Sequence, residues 1–426
     1  MALFYFEELN KELFSGYTVI VDIDGTLVPD GERTLAEETH GAFSSLQQNA
    51  TPYLASNRDE PGRNQAFALA LRVPLLHESL KKPSPALIWH TKKHLGGEDV
   101  AVIGDKYLTD GIFALLLGAQ FVRVRRKESG TESLWTKMIY TLDSVVGRVA
   151  AWCSAMRVYH SIKNLLVFLP LFFVGNFFVP ALLLKATAAF AAFSLLSSAV
   201  YLFNDLVDRA QDRSHFRKRF RPVVRGEVET WEAILLTSGL LASLGLLLYF
   251  VVPEITVVLL AYLLLNVGYG FGLKHIPIVD IVLVALFYLL RIHAGGIVTE
   301  TAISPWLNLV AFFLSLFVIT GKRLAEFSLP YRRKVLEGYT ADFLSRVLVI
   351  ATALSLSVYG AYSVLAHDSQ LLVFTSIPFA VGVLRYLQLS LSSPEAENPE
   401  LLLLSDRIIL GSVAVWGAMF LGIVYL

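Results

Sequence analysis

The chain has 426 residues, of which 55% are hydrophobic and 17% charged, with a mean hydropathy of +0.57. A typical soluble domain carries roughly 25% charged residues, so composition excludes one ordinary soluble domain, and the length fits two or three domains. The single cysteine, Cys153, excludes an intramolecular disulfide. Basic and acidic residues balance at 36 each, but they are segregated along the chain, and no nucleic-acid partner is expected.

The opening stretch, MALFYFEELNKELF, lacks the basic region, short apolar core and cleavage site of a signal peptide, so no cleavage is expected. Four strand-like runs follow: YTVIVDID (17–24), ATPYLASN (50–57), VAVIGD (100–105) and AQFVRV (119–124). Helical patterns lie between and after them: AEETHGAFSSLQQ, GRNQAFALALR, ALIWHTKKH and TDGIFALLLG. This alternation predicts a parallel sheet with helices on both faces, and ligands in such sheets sit at the carboxyl ends of the strands. The first domain is placed at 1–126. The polar segment RKESGTES (126–133) reads as a linker. Beyond it, Leu134, Met138, Leu142, Val145 and Val149 recur at helical spacing. They predict an amphipathic helix at a membrane interface, with a helix packed on the soluble domain as the plainer alternative. Linker and helix together occupy 127–155.

The remainder, 156–426, is expected to be an all-α membrane domain of nine spans. They fall at about 164–180, 182–204, 233–252, 254–273, 277–298, 306–326, 343–364, 371–391 and 405–426, each about long enough to cross a bilayer core. Pro170, Gly175 and Pro180 interrupt the first. The loop after the second span holds Arg209, Arg213, Arg217, Lys218, Arg219, Arg221 and Arg225. Lys274 follows the fourth, and Lys322, Arg323, Arg332, Arg333 and Lys334 follow the sixth. The opposite loops, VVPE, VTETAISP and LAHDSQ, hold no lysine or arginine. By the positive-inside rule the basic loops and the N-terminal domain are expected on the cytoplasmic side of a multi-pass cell (inner) membrane protein.

Two constellations carry chemistry. In VDIDGTLVP, Asp22 and Asp24 follow a buried strand and Gly25 permits a tight turn. Later strands end in Ser56 of LASN and in Asp105 of VIGDKYLTD, which also holds Asp110, while KKPSPA supplies Lys82. Paired acids of this kind suit phosphoryl transfer through an aspartate nucleophile. The set, in this order over about 17–125, resembles the haloacid dehalogenase (HAD) superfamily, in the phosphatase subgroup with a GDxxxTD fourth motif. The resemblance implies a Rossmann-like fold with Asp22 as nucleophile and Asp24 as general acid and base. Ser56 and Lys82 would hold phosphate, and Asp22, Asp24, Asp105 and Asp110 would form a Mg²⁺ site. The gaps between the motifs are too short for a large cap domain. An inactive relic is the plainer reading.

The second constellation is NDLVDRAQDRSHFRKRFRP. Asp205, Asp208 and Asp212 stand at i, i+3 and i+7 on one helix face beside Asn204. Carboxylates so placed repel unless a cation is shared, and oxygen ligands suit Mg²⁺ bound together with a phosphate. Lys218, Arg219 and Arg221 follow, and arginines bind phosphate oxygens bidentately. A solvated cytoplasmic loop is the plainer reading. The pattern matches the NDxxDxxxD motif of the UbiA-type intramembrane prenyltransferases over about 155–426. That resemblance implies a Mg²⁺-dependent nine-helix enzyme in which Asp205 and Asp208 are catalytic. The family's second motif is usually DxxxD; here Asp280 is present but Val284 replaces the second acid, which counts against an allylic prenyl diphosphate donor. SIKNLLVFLP, LKHIPIVDI, LLRIHAGG and ITGKRLAEF resemble the branch that moves phosphoribose from phosphoribosyl diphosphate (PRPP) to a polyprenyl phosphate. Three anionic groups then need many cations. Lys163, Asn164, Asn204, Lys218, Arg219, Arg221, Lys274, Arg291, Lys322 and Arg323 are the candidate phosphate binders. Asp280 joins the metal set. Lys163 and Arg291 lie in or beside apolar runs, where a charge is costly and points to function.

The expected activity is therefore bifunctional: phosphoribosyl transfer, then removal of the 5-phosphate by the tethered phosphatase. The alternative is a prenyltransferase that uses a prenyl diphosphate and an aromatic or other small acceptor. A non-enzymatic scaffold or transporter is the third possibility, opposed by two intact acidic motifs.

Overall fold

The computed structural model describes residues 4–96, 99–130, 133–327, 333–365 and 369–425. Arg332 and His367, from two of the loops used to argue orientation, lie outside the described residues. The chain divides into two compact units, Met1–Arg157 with Tyr201–Leu236, and Val158–Val200 with Thr237–Leu426.

The first unit is built on a four-stranded parallel sheet of order β2-β1-β3-β4, with β1 Thr18–Asp22, β2 Thr51–Ala55, β3 Val100–Gly104 and β4 Gln120–Arg123. Valine, isoleucine and threonine dominate β1, and all five of its residues are buried, as a central strand covered on both faces requires. Alternate side chains serve opposite faces. Val19 and Val21 pack with Phe43 of α1 (Glu37–Asn49) and Phe67 of α2 (Pro61–Leu71). Ile20 packs with Leu87 of α3 (Pro85–Leu95) and Phe113 of α4 (Ile112–Leu117). Leu75 forms a parallel bridge to Leu54 outside the named strands.

Helix α5 (Leu134–Ala155) starts at a Ser133 cap. Its Asp143 accepts hydrogen bonds from the Tyr107 and Leu108 amides and from Arg123, which fixes it to the sheet domain. Leu134, Met138, Leu142, Val145 and Val149 are all exposed on the helix. The side of the helix that carries Asp143 packs on the sheet domain, as the plainer alternative expects, and the five apolar residues stand on its exposed side.

Among the described residues, eight helices are long and apolar enough to cross a bilayer: Pro180–Val207, Thr230–Phe250, Pro253–Phe271, Val279–Val298, Pro305–Glu326, Ala341–Leu365, Gln370–Ser392 and Arg407–Val424. The expected first span, 164–180, is not such a helix. A 3₁₀ stretch, Val158–Phe168, leads into the short α6 (Leu169–Val174), which ends at Gly175 in the left-handed conformation. This segment does not reach membrane length by itself. Glycine at positive φ stops a helix cheaply, and the apolar count cannot register that stop.

The membrane helices are labelled in chain order with the short helices between them. They are α7 (Pro180–Val207), α8 (Arg209–Asp212), α9 (Pro222–Arg225), α10 (Thr230–Phe250), α11 (Thr256–Phe271), α12 (Val279–Val298), α13 (Pro305–Glu326), α14 (Ala341–Leu365), α15 (Ser376–Ser392), α16 (Pro399–Ser405) and α17 (Arg407–Val424). Small alanines of α7 (Ala186, Ala189, Ala192) allow close packing against Leu259 and Tyr262 of α11 and Phe287 of α12.

Candidate functional site

In the first unit, the strand ends converge on a buried acidic cluster. Asp22 closes β1, Asp105 follows β3, and Asp110 lies in the turn Tyr107–Gly111. Carboxylate oxygens of these three fall within 4.8 Å of one another. Two glycines make room. A Cβ on Gly25 would meet Asp105 Oδ2 at 2.3 Å, and one on Gly104 would meet Asp110 Oδ2 at 2.3 Å. Lys82 inserts its ammonium between Asp22 and Asp110, at 2.6 Å from Asp110. Its backbone is clamped by Asn57, whose amide accepts from Lys82 N and donates to Lys82 O, both at 2.7 Å. Sequence reasoning missed Asn57, although it adjoins Ser56.

One lysine does not neutralise three buried carboxylates. Burial pushes the Asp22 carboxyl up to about 7, against the pull of Lys82, and Asp110 and Asp24 add to the rise. Burial, with Asp22 and Asp110 nearby, raises Asp105 well above the carboxylate range. Burial lowers the Lys82 ammonium, but Asp110 and Asp22 outweigh it and hold the group above the ordinary lysine value. Among the described residues neither Asp105 oxygen has a hydrogen-bond donor, and Arg126 Nε stands 4.0 Å away. An unpaired buried carboxylate is costly. Asp22, Asp105 and Asp110 are hard oxygen donors that fit Mg²⁺.

Asp24 departs from the expected metal set. Arg63 donates to both its oxygens, at 2.9 and 3.3 Å, Ser56 Oγ donates at 2.9 Å, and the Gly31 amide donates at 3.3 Å. Burial raises the Asp24 carboxyl, but Arg63 outweighs it and holds the group below its ordinary value. Its side chain is committed to Arg63 rather than to the acidic cluster. Arg63 was not read as functional; nothing in the sequence spacing marks it as the partner of an acid 39 residues away.

The same unit holds the second motif. Helix α7 breaks at Asp208 and resumes as α8, with Asp208 N bonded to Asn204 O and Asp212 N to Asp208 O. Asp205 and Asp212 are each 1% exposed and are bridged by one nitrogen of Arg221, at 2.9 and 2.6 Å. Arg157 reaches Asp205 at 2.5 Å and Lys218 reaches Asp212 at 3.1 Å. Asp208 is half-buried and Asn204 exposed. The motif residues are therefore brought together with Lys218 and Arg221, and Arg157 is a partner that sequence reasoning missed. Arg219 turns away. It donates to Ser15 O at 2.9 Å and Glu12 O at 3.4 Å, which corrects its place among the phosphate binders.

In the second unit, five expected site residues are committed to internal partners. Asp280 is 0% exposed; one oxygen accepts from Arg323 Nε at 2.8 Å and the other from Tyr339 OH at 2.7 Å. Arg323 also donates to Glu326 at 3.1 and 3.2 Å. The expected metal ligand Asp280 and the expected phosphate binder Arg323 thus neutralise each other. Arg291 donates to Asn164 Oδ1 at 2.7 Å, Phe287 O at 2.6 Å and Tyr262 OH at 3.0 Å, so Arg291 and Asn164 serve one another rather than a phosphate. Lys163 pairs with Glu400 of α16 at 2.6 Å. Lys322 and Lys274 are half-buried, on α13 and in the turn Leu273–His275 respectively.

A profile of the UbiA prenyltransferase family matches residues 164–405, more than half of the 426. The chain belongs to this family. Among relatives, decaprenyl-phosphate phosphoribosyltransferase of Mycobacterium tuberculosis is 35% identical over 281 residues, covering 63% of this chain and 92% of that protein. The enzyme of the same name from Mycolicibacterium smegmatis is 35% identical over 61% of this chain and 88% of its own length. The one from Corynebacterium glutamicum is 33% identical over 62% and 83%. A solved structure of a UbiA homolog from Archaeoglobus fulgidus, bound to DMAPP and Mg²⁺, superposes with a TM-score of 0.50 at 18% identity, over 65% of this chain and 99% of that one. This likeness shows the all-helical UbiA fold. With the apolar helices, it makes the chain an integral membrane protein. The α/β fold lies outside the family match.

Proposed function

We propose that the chain is a bifunctional membrane enzyme that transfers 5-phosphoribose from PRPP to a polyprenyl phosphate and then removes the 5-phosphate. The observation that carries the first half is the buried pair Asp205 and Asp212 held by Arg157, Lys218 and Arg221. It sits in the family motif of a chain similar to three phosphoribosyltransferases along most of their length. Asp205 and Asp212 attract three cationic side chains, and with Asp208 they offer only hard oxygen donors, the chemistry that suits Mg²⁺. When bound there, Mg²⁺ supplies neutralisation of charge on the diphosphate. Lys218 and Arg221 exchange their carboxylate partners for diphosphate oxygens, and arginine does so with two parallel bonds. An oxygen of the acceptor phosphate forms the bond to the anomeric carbon as the bond to diphosphate breaks, and the diphosphate leaves with the electron pair.

The second half rests on the cluster of Asp22, Asp105 and Asp110 around Lys82, with neither Asp105 oxygen hydrogen-bonded among the described residues. Asp22 forms a bond to phosphorus as the bond from phosphorus to the ribose 5-oxygen breaks, and that oxygen leaves as the alcohol with a proton from water. Lys82 offsets the charge of Asp22, and Ser56 and Lys82 hold the phosphate. Arg63 keeps Asp24 ionised, the form that takes a proton from water. The basic loops favour the cytoplasmic side for both sites. Attachment to one chain raises the local concentration of the second site around the product of the first.

The test uses membranes with radiolabelled PRPP, Mg²⁺ and a polyprenyl phosphate. Wild type gives labelled lipid without its 5-phosphate, Asp22→Asn gives lipid that retains it, and Asp208→Ala gives none. Absence of label with consumption of a prenyl diphosphate would establish the prenyltransferase alternative.

A further inference from the structure

The basic loop after the second family span is not held by membrane helices alone. Residues 201–236 share a compact unit with the α/β fold, and the loop docks on it through two phenylalanines. Phe220 is 5% exposed and belongs to the core that contains Phe14, Tyr17, Val19 and Val21. Its ring meets Tyr17 edge-on at 4.9 Å. Phe216 stacks on Tyr17, with centroids 4.6 Å apart and planes at 22°. The approach is close enough that a Cβ on Gly16, which has φ +80°, would meet the Phe216 ring at 3.2 Å. Arg219 lies over the same three rings, 5.1–5.6 Å from their centroids. Arg217 reaches Asp99 at 3.3 Å, just before β3.

The backbone divides these residues from the ones beside the carboxylates. Lys218–Phe220 is a 3₁₀ turn, in which residues three apart lie one above the other. Lys218 and Arg221 therefore share one side, where they reach Asp212 and Asp205. Phe216 and Arg217 precede the turn, and with Arg219 and Phe220 they face the α/β fold. Fixing the rings fixes the rotation of the turn and so the side on which the two cations emerge. Two rings, Phe216 and Phe220, both held against Tyr17, oppose rolling of the turn.

We infer that Tyr17, with Phe14, is a positioning element for the transferase. By seating Phe216 and Phe220 it holds Lys218 and Arg221 where the diphosphate of the donor is bound. The inference rests on the reading of residues 205–221 as the donor site. It gives the α/β fold a second task beside any hydrolysis, and the residues that perform it lie outside the family match.

The test uses the full chain in lipid nanodiscs, as wild type, Phe216→Ala, Tyr17→Ala and the ring-keeping Tyr17→Phe. Amide exchange over 213–225 is measured together with kcat and with KM for donor and lipid acceptor. Phe216→Ala and Tyr17→Ala should speed exchange over 213–225 and raise donor KM about tenfold, with acceptor KM within about twofold of wild type. Tyr17→Phe should restore both. Phe216→Ala removes a loop ring only, so it stands if Tyr17→Ala fails to fold. Unaltered exchange over 213–225 in Phe216→Ala would overturn the inference, as would a fall in kcat with donor and acceptor KM rising together. If wild type takes a prenyl diphosphate in place of PRPP, the proposed function fails. The same exchange and KM measurements with that diphosphate then decide the inference by the same outcomes.

Discussion

Arg291→Met separates two roles for a charge buried among membrane helices. The sequence alone makes Arg291 a phosphate binder, because an ionised group in an apolar run needs a reason. The structure supplies another reason. The guanidinium donates to Asn164, Phe287 and Tyr262. Asn164 in turn donates to Ser194 at 3.0 Å, and Tyr262 OH lies 3.2 Å from Ser197 Oγ. One side chain thus ties the 158–168 stretch, α7 and α11 to α12. The guanidinium also lies 4.9 Å from the Tyr262 ring centroid. Hydrogen bonds inside membrane bundles are worth about 0.6 kcal/mol on average and about 1.7 at most, so the three bonds together contribute about 2–5 kcal/mol. Methionine keeps the apolar stem and cannot donate. The expected result is a lower unfolding midpoint in nanodiscs, with donor KM nearly unchanged in the protein that stays folded. A variant with the wild-type midpoint and a donor KM raised tenfold or more would refute the structural role and return Arg291 to the substrate.

Three further outcomes are expected. Asp105→Asn should abolish release of phosphate from the labelled lipid while lipid labelling continues, read by chromatography of extracted lipid; loss of labelling as well would refute two separate sites. Arg63→Ala breaks a buried pair and should destabilise the α/β unit by about 3–5 kcal/mol, measured by chemical unfolding. Because Asp24 is held below its ordinary value, it contributes stability that is present above about pH 4 and lost as pH falls through its folded value. Arg63→Ala should flatten that acid limb, and an unchanged limb would count against the pairing. Asp280→Asn combined with Tyr339→Phe should show a coupling of about 0.5–3 kcal/mol in a double-mutant cycle; additivity would show that the 2.7 Å contact contributes nothing.

Local pattern reveals the architecture of this chain, while the partners of its charges stay hidden. The four strands are legible because each is a short run of β-branched and apolar residues bounded by turn residues, and the observed Thr18–Asp22, Thr51–Ala55, Val100–Gly104 and Gln120–Arg123 lie inside the expected runs. Eight spans are legible for the same reason: apolar length maps directly onto helix length. The stretch from Val158 to Val174 defeats that reading because hydropathy weighs composition, whereas Gly175 at φ +82° fixes where the helix stops.

At the sites, the acids and their order are visible, since Asp22, Asp105 and Asp110 occupy strand ends and turns whose positions follow from the sheet. Charge pairing is not visible. Arg63 with Asp24, Arg323 with Asp280 and Lys163 with Glu400 join positions 39, 43 and 237 residues apart, and no periodicity links them. The error has one direction. A buried charge read without its partner looks available for substrate, as Arg291, Arg323 and Asp280 do. Arg219 is hidden differently, because the RKRFR run conceals its three-residue period until the turn at Lys218–Phe220 is seen. That period sorts the run into cations beside the carboxylates and residues that anchor the loop. A basic cluster at a membrane surface therefore divides between binding and anchorage according to its local helix type, and counting its charges alone overstates how many can meet a phosphate.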